Sequence, residues 1–390
     1  MINRRVLTAA IAAAPLAGMA KPASIADDES IRQLLRRRIE VEKRTVGMAV
    51  CVVTADRQRV VTYGRERLED GRPVSAETVF EIASVTKVFT ALLLAEMALR
   101  GELAVDDPVA RHLPGDFHVP VLDGRQITLA DLATHTSGLP WWPTFPGQPK
   151  TFDADFTHFL ATAAPQFSLE AFKAWLADFH PRSRPGDTWA YSNTGYAMLG
   201  LALAHRGGRP YEQLLQMRVL TPVGLEQTTF HPTAAMAPRL AEGHDPALKP
   251  SPPMELGIFS AAGGLLSTPR DLSRFAAAVL PGSRAAIAPA ARLLMSVRRP
   301  APPLSGMQAL GWEVRNAPGG AFVSKDGVAW EQGASMAWDP DQRVAVVVFS
   351  NTVPDLKYAK YSGGGVGAAD MAQHLLRPQI PLNGEGGSTY

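Results

Sequence analysis

The stretch that most constrains this chain is Glu81-Ile82-Ala83-Ser84-Val85-Thr86-Lys87-Val88-Phe89-Thr90 and the apolar run that follows it. Residues 85–100 are mostly good helix formers, and Gly101 is a natural C-terminal stop. Between Ile82 and Leu99 the only charged side chains are Lys87 and Glu96. A helix that is apolar on nearly every face has to lie in a core, so the fold must wrap it on all sides. Lys87 is then a cation among Ala91, Leu94, Ala95 and Ala98, and loss of hydration there pushes its pKa down and makes it a better base. Ser84 sits one turn earlier on the same face, where the helix begins and the macrodipole favours a developing negative charge. The same residues also fit a plainer role, an N-cap serine followed by a lysine that snorkels to water. The rest of the chain has to decide between the two.

With 390 residues the chain is long enough for one large domain or two interlocked ones. Its formal net charge is +2, and Lys and Arg form no long basic run, which argues against nucleic acid as a partner. Cys51 is the only cysteine, so no intramolecular disulfide is possible. It lies in Met48-Ala49-Val50-Cys51-Val52-Val53, a buried-strand pattern, and reads as a small core hydrophobe. Arg4-Arg5, an Ala-rich apolar run over residues 6–20, small residues to Ala26 and then Asp27-Asp28 have the layout of an export signal over residues 1–26. Cleavage after Ala20 or Ala26 and, from the paired arginines, the twin-arginine route are the expectations. The mature protein would be periplasmic or secreted, with no integral membrane segment left after signal removal.

Taken in order, residues 29–42 predict an amphipathic helix, followed by strands over 48–54 and 59–63. The apolar helix comes next. From 110 to 165 the pattern is broken by Pro and Gly around Trp141-Trp142-Pro143, which predicts a long irregular segment. It contains His135, which without a placed partner reads as structural. Helices are predicted over 169–179 with Ser168 as cap, 194–204, 210–219 and, from the box Thr268-Pro269-Arg270-Asp271, 269–279. Ala261-Ala262-Gly263-Gly264 reads as a turn, and 281–308 as an Ala-, Pro- and Arg-rich stretch. Strands then return over 321–324, 334–338 and 343–350, and a last helix over 368–376. The fold class is α+β: an antiparallel sheet flanked by helices, with an inserted all-helical domain. A sheet subdomain from about 27–80 and 310–380 and a helical one from about 81–309 would form a single catalytic domain over 27–380, with 381–390 a disordered tail.

Three short motifs fall in line: Ser84-x-x-Lys87, Tyr191-Ser192-Asn193 and Lys325-Asp326-Gly327 at a strand. With the wording around Ser84, Asp106-Asp107-Pro108, the run from His135 to Pro140, Pro185-Gly186 and the run from Gly263 to Thr268, they resemble the penicillin-recognising serine hydrolases over residues 30–378. Class C β-lactamases and D-Ala-D-Ala carboxypeptidases are the nearest pattern. The resemblance implies a β-lactamase/transpeptidase-like fold and an acyl-enzyme formed at Ser84. It implies Lys87 and Tyr191 as catalytic residues, the base role being open between them. Asn193, Lys325, Asp326, Gly327 and Val328 would bind substrate, with the N–H groups of Ser84 and Val328 as the oxyanion donors. No metal or organic cofactor is required. The substrate would be a β-lactam, a D-Ala-D-Ala-type peptide or, as the alternative, a small acyl ester. A non-catalytic binding protein is the third reading, and the intact set Ser84, Lys87, Tyr191 and Asn193 speaks against it. One residue departs from the family: Thr or Ser usually stands where Asp326 does. A carboxylate there would repel a carboxylate ligand or compete with it for Lys325, so weak or altered handling of penicillins is expected.

Overall fold

The computed structural model describes residues 25–69, 71–150, 154–353 and 367–382. Residues 1–24 of the expected export signal over 1–26, and the expected tail from 383, lie outside the described residues.

The main sheet is built from both ends of the chain. Its strands are β1 (Gly47–Val53), β2 (Gln58–Gly64), β3 (Arg298–Ala301), β4 (Gly306–Ala309), β5 (Glu313–Arg315), β6 (Phe322–Val328), β7 (Gly333–Asp339) and β8 (Val344–Ser350). They lie in the order β2-β1-β8-β7-β6-β5-β4-β3, all antiparallel. The N-terminal hairpin joins the C-terminal strands where Met48 faces Ser350 and Val53 faces Ala345. β1 and β8 are almost unbroken apolar runs because both sheet faces are covered, so successive residues belong to different cores. Met48, Val50 and Val52 pack with Ile31 and Leu35 of α1 (Asp28–Arg36) and with Met371 and Leu375 of the C-terminal helix Ala368–Leu376. Ala49, Cys51 and Val53 face the opposite core, which they share with α2 (Thr86–Leu99) and the helices of the middle of the chain. Each fully buried Val or Leu in these layers contributes about 1.5–3 kcal/mol.

α2 is enclosed as its composition demands, with Lys87 itself fully buried. Its start departs from the simple picture: a tight turn, Ala83–Val85, leads into it, and no side chain caps either element. Ser84 is therefore not an N-cap. Ser168 and Thr268 do cap the helices Leu169–Asp178 and Pro269–Val279, accepting from Ala171 N and Asp271 N.

The sheet runs further back along the chain than expected. Residues 298–309, assigned by composition to the helical part, form β3 and β4 at its outer edge. An edge strand tolerates Pro300, whose missing N–H leaves no central ladder bond unmade. The segment 110–165 is also less irregular than its punctuation suggests. Thr128 and Asp131 form a capping box for the short helix Leu129–Ala133, and Ala154–Gln166 is helical. The glycine-rich turn near 261–264 begins as the helical turn Ser260–Gly263. Among the described residues, no helix is long and apolar enough to cross a membrane.

Candidate active site

Ser84 is held between two backbones. The two-residue strand Phe80–Glu81 pairs with Leu266–Ser267, and Ala83 then turns with a positive φ of 42°, which an alanine adopts only under constraint. This sets Ser84 at the mouth of α2 with its side chain partly exposed, while Lys87, one turn on, is fully enclosed. Lys87 Nζ lies 3.1 Å from Ser84 Oγ, 2.8 Å from Asn193 Oδ1 and 2.6 Å from the carbonyl of Ala262. Burial holds its pKa well below the usual lysine range, and the Lys325 cation pushes in the same direction. A neutral amine has two N–H groups and one lone pair. In that form Asn193 and Ala262 would accept the two N–H groups and leave the lone pair for the Ser84 hydroxyl, whereas a protonated Lys87 donates to all three.

Tyr191 and Asn193 straddle a helix start. Ser192 is the cap of the helix Asn193–Gly207, accepting from Gly195 N at 2.8 Å, and the N–H groups of Asn193 and Thr194 reach the carbonyl of Trp141. Asn193 then points at Lys87, and the Tyr191 hydroxyl donates to Ser84 Oγ at 2.8 Å. Two lysine nitrogens, Lys87 Nζ and Lys325 Nζ, each lie 4.9 Å from the centroid of the Tyr191 ring. Burial nonetheless raises the phenol pKa, against the opposing pull of Lys325 and of the Ser84 bond. His135 stacks on Tyr191 with ring centroids 4.3 Å apart, and its Nδ1 accepts from Ser192 N at 3.1 Å. That lone pair is spent on the backbone, and burial keeps the ring neutral by lowering its pKa well below the ordinary value. His135 thus supports Tyr191 from behind.

β6 brings up the opposite wall. β5 pairs with β6 only over Phe322–Ser324, so the edge from Lys325 to Val328 is open on that side. Ala329 N bonds Gln332 O across the hairpin to β7, which makes the next pair, Val328 and Gly333, one whose peptide groups turn outward from each other. Gly327 is required by contact. A Cβ there would stand 2.2 Å from the carbonyl of Ile82 and 3.0 Å from Ser84 N. The strand can come this near Ser84 because that position is glycine.

Two residues that the sequence gave no reason to single out complete this wall. Lys325 Nζ is bound by Glu313 at 2.8 Å, and Glu313 is also bound by Arg315 at 2.5 Å. Arg315 reaches on to Asp326 at 3.3 Å, and Ser335 donates to Asp326 at 2.6 Å. The expected contest between Asp326 and a ligand for Lys325 therefore takes another form. The carboxylate on Lys325 is Glu313, whereas Asp326 is engaged by Arg315 and Ser335. Burial and the neighbouring Glu313 raise the Asp326 pKa to about 6, opposed by Arg315. The two cations hold Glu313 below the ordinary carboxylate value despite its burial.

Trp142 packs edge-on to Phe259 and Trp330 is in the core, whereas Trp141 is exposed. Among the described residues no group of three or more His, Cys, Asp or Glu side chains is placed to hold a metal ion.

The sequence profile of the Beta-lactamase family matches residues 28–367. The chain is 31% identical over 232 residues to the D-alanyl-D-alanine-carboxypeptidase/endopeptidase AmpH of Escherichia coli (strain K12), a match covering 59% of this chain and 56% of that protein. It is 30% identical over 266 residues to the esterase EstB of Burkholderia gladioli, covering 60% of this chain and 65% of that protein. The chain thus spans less than two thirds of the length of these curated relatives. The solved β-lactamase/D-alanine carboxypeptidase of Yersinia pestis superposes with a TM-score of 0.71 at 24% identity, over 91% of this chain and 99% of that one. The fold is the β-lactamase/transpeptidase-like fold, and the chain belongs to the Beta-lactamase family.

Proposed function

We propose that the protein is a serine hydrolase that forms an acyl-enzyme at Ser84 and cleaves β-lactam or D-Ala-D-Ala-type peptide amides. The observation that carries this is the convergence on one oxygen: Ser84 Oγ is within hydrogen-bond reach of both Lys87 Nζ and the Tyr191 hydroxyl. Lys87 is the base. It takes the hydroxyl proton as Oγ bonds to the carbonyl carbon, and the Ser84 and Val328 N–H groups receive the oxyanion. Tyr191, kept protonated by burial, passes a proton to the leaving nitrogen as the C–N bond breaks, and Lys87 restores it. Asn193 fixes Lys87 and binds the substrate amide. Water then cleaves the ester on Ser84. The sheet and helical subdomains would form one catalytic domain, exported through the signal at 1–26 to the periplasm or beyond.

Intact mass after mixing with benzylpenicillin tests the proposal, beside Ser84→Ala. A lasting adduct on the parent alone identifies a penicillin-binding peptidase, and consumption without an adduct identifies a β-lactamase. A second reading, hydrolysis of small acyl esters by the same residues, is favoured by Asp326, whose oxygens are already engaged. Neither adduct nor consumption would decide for it.

A further inference from the structure

On the acyl-enzyme reading at Ser84, the open edge of β6 beside it receives the part of an acyl donor beyond the scissile bond. Four charged side chains stand there. Lys325 is matched by Glu313 and Arg315 by both Glu313 and Asp326, at separations of 2.5–3.3 Å. Their side chains are between 1% and 11% exposed. Two cations and two anions cancel, and each cation already has a carboxylate at contact distance. An incoming carboxylate would have to displace one of these buried partners, which exposes an unpaired charge, or sit beside a second anion where, among the described residues of this cluster, both cations are already paired. Asp326 adds a further obstacle at its position. It has acceptor oxygens only, and Ser335 and Arg315 occupy them. A neutral group meets none of these costs.

We infer that this edge selects acyl donors whose leaving group is uncharged, such as C-terminally amidated or esterified peptides and simple esters, and that Asp326 is a specificity-determining residue. The inference rests on the acyl-enzyme reading at Ser84 and deepens it.

The test uses a matched pair of substrates, an N-acyl-D-Ala-D-Ala peptide as its free acid and as its C-terminal amide. The scissile bond is the same in both. The full-length parent should cleave the amide with kcat/KM about tenfold or more above the acid, and Asp326→Asn should narrow that ratio by a similar factor by freeing part of the Arg315 charge. Equal rates on the two peptides, or a preference for the acid, would overturn the inference. So would an unchanged ratio in folded Asp326→Asn. If that variant does not fold, the ratio measured on the parent still decides. p-Nitrophenyl acetate separates the two levels of the argument. A Ser84 adduct from it, together with preference for the acid peptide, overturns the selectivity alone. No Ser84 adduct from it or from either peptide overturns the acyl-enzyme reading, and the inference with it.

Discussion

Two buried lysines flank the same tyrosine ring at the same distance, and the regions that hold them give them opposite characters. Lys87 comes from the helical side, where its polar contacts are a hydroxyl, an amide oxygen and a carbonyl. Lys325 comes from the sheet edge, where Glu313 binds it. Burial lowers the pKa of both. Glu313 more than reverses this for Lys325, whose pKa ends above the ordinary value, while that of Lys87 ends far below. Desolvation alone makes a base, and desolvation with a fixed counter-charge makes a permanent cation. The proposed mechanism uses one of each, and the carboxylate that fixes the cation comes from the sheet edge.

The most direct way to break this comparison is Lys87→Met. A methionine fills nearly the same volume and removes the base, so acylation should fall by about 10²–10⁴-fold. Stability should hold or rise, because a buried group that gains nothing from an ion pair is replaced by an apolar one. Burst amplitude with a chromogenic ester reads the first effect and urea unfolding the second. A variant that is active but unstable would make Lys87 a structural cation and erase the difference between the two lysines.

Glu313→Gln approaches from the other side. It strips the partner from Lys325 and half the partners from Arg315, leaving buried charge uncompensated. The expected cost is about 3–5 kcal/mol of unfolding free energy at neutral pH, the size seen when one member of a buried pair is removed. Urea midpoints for parent and variant measure it. A loss below 1 kcal/mol would mean that Lys325 sheds its proton as readily as Lys87 does, and that the two regions differ less than their geometry implies.

The two regions also differed in how far the sequence disclosed them. The helical side was legible because its signals are local. Ser84 and Lys87 are one turn apart, Lys87 is anomalous in an apolar run, and Tyr191-Ser192-Asn193 leads straight into a helix. The sheet edge was legible only in part. Lys325 and Gly327 stood in a motif, but Glu313 and Arg315 look like ordinary polar positions of a short strand. Their roles come from register, since Glu313 faces Ser324 and Arg315 faces Phe322 across β5 and β6. A pairing between strands leaves no mark within either strand. The Ala262 carbonyl that holds Lys87 was invisible for the same reason, because every residue has a carbonyl. β3 and β4 were missed because 281–308 reads as an Ala-, Pro- and Arg-rich stretch, and a strand that holds Pro300 is tolerated only at an edge.

Glu81 is the converse of Lys87 and sharpens the comparison on the acid side. It lies three residues before Ser84, is almost fully buried, and its carboxylate accepts from Met254 N. With no counter-cation paired to it among the described residues, burial raises its pKa to about 7, against the weaker opposing effect of that backbone bond. The folded-state value is thus above the unfolded one. The resulting stability is fully present below the unfolded pKa of 4.5 and is lost as pH rises through about 7. The full loss is on the order of 3 kcal/mol. Glu81→Gln keeps an acceptor for Met254 N but cannot ionise. Its stability relative to the parent should therefore grow between pH 4.5 and pH 8 by up to about that amount, read as urea midpoints at the two ends. Parallel pH profiles would show that Glu81 is compensated after all. Burial without a counter-charge would then not be enough to move a pKa in this core, and the same argument for Lys87 would lose its support.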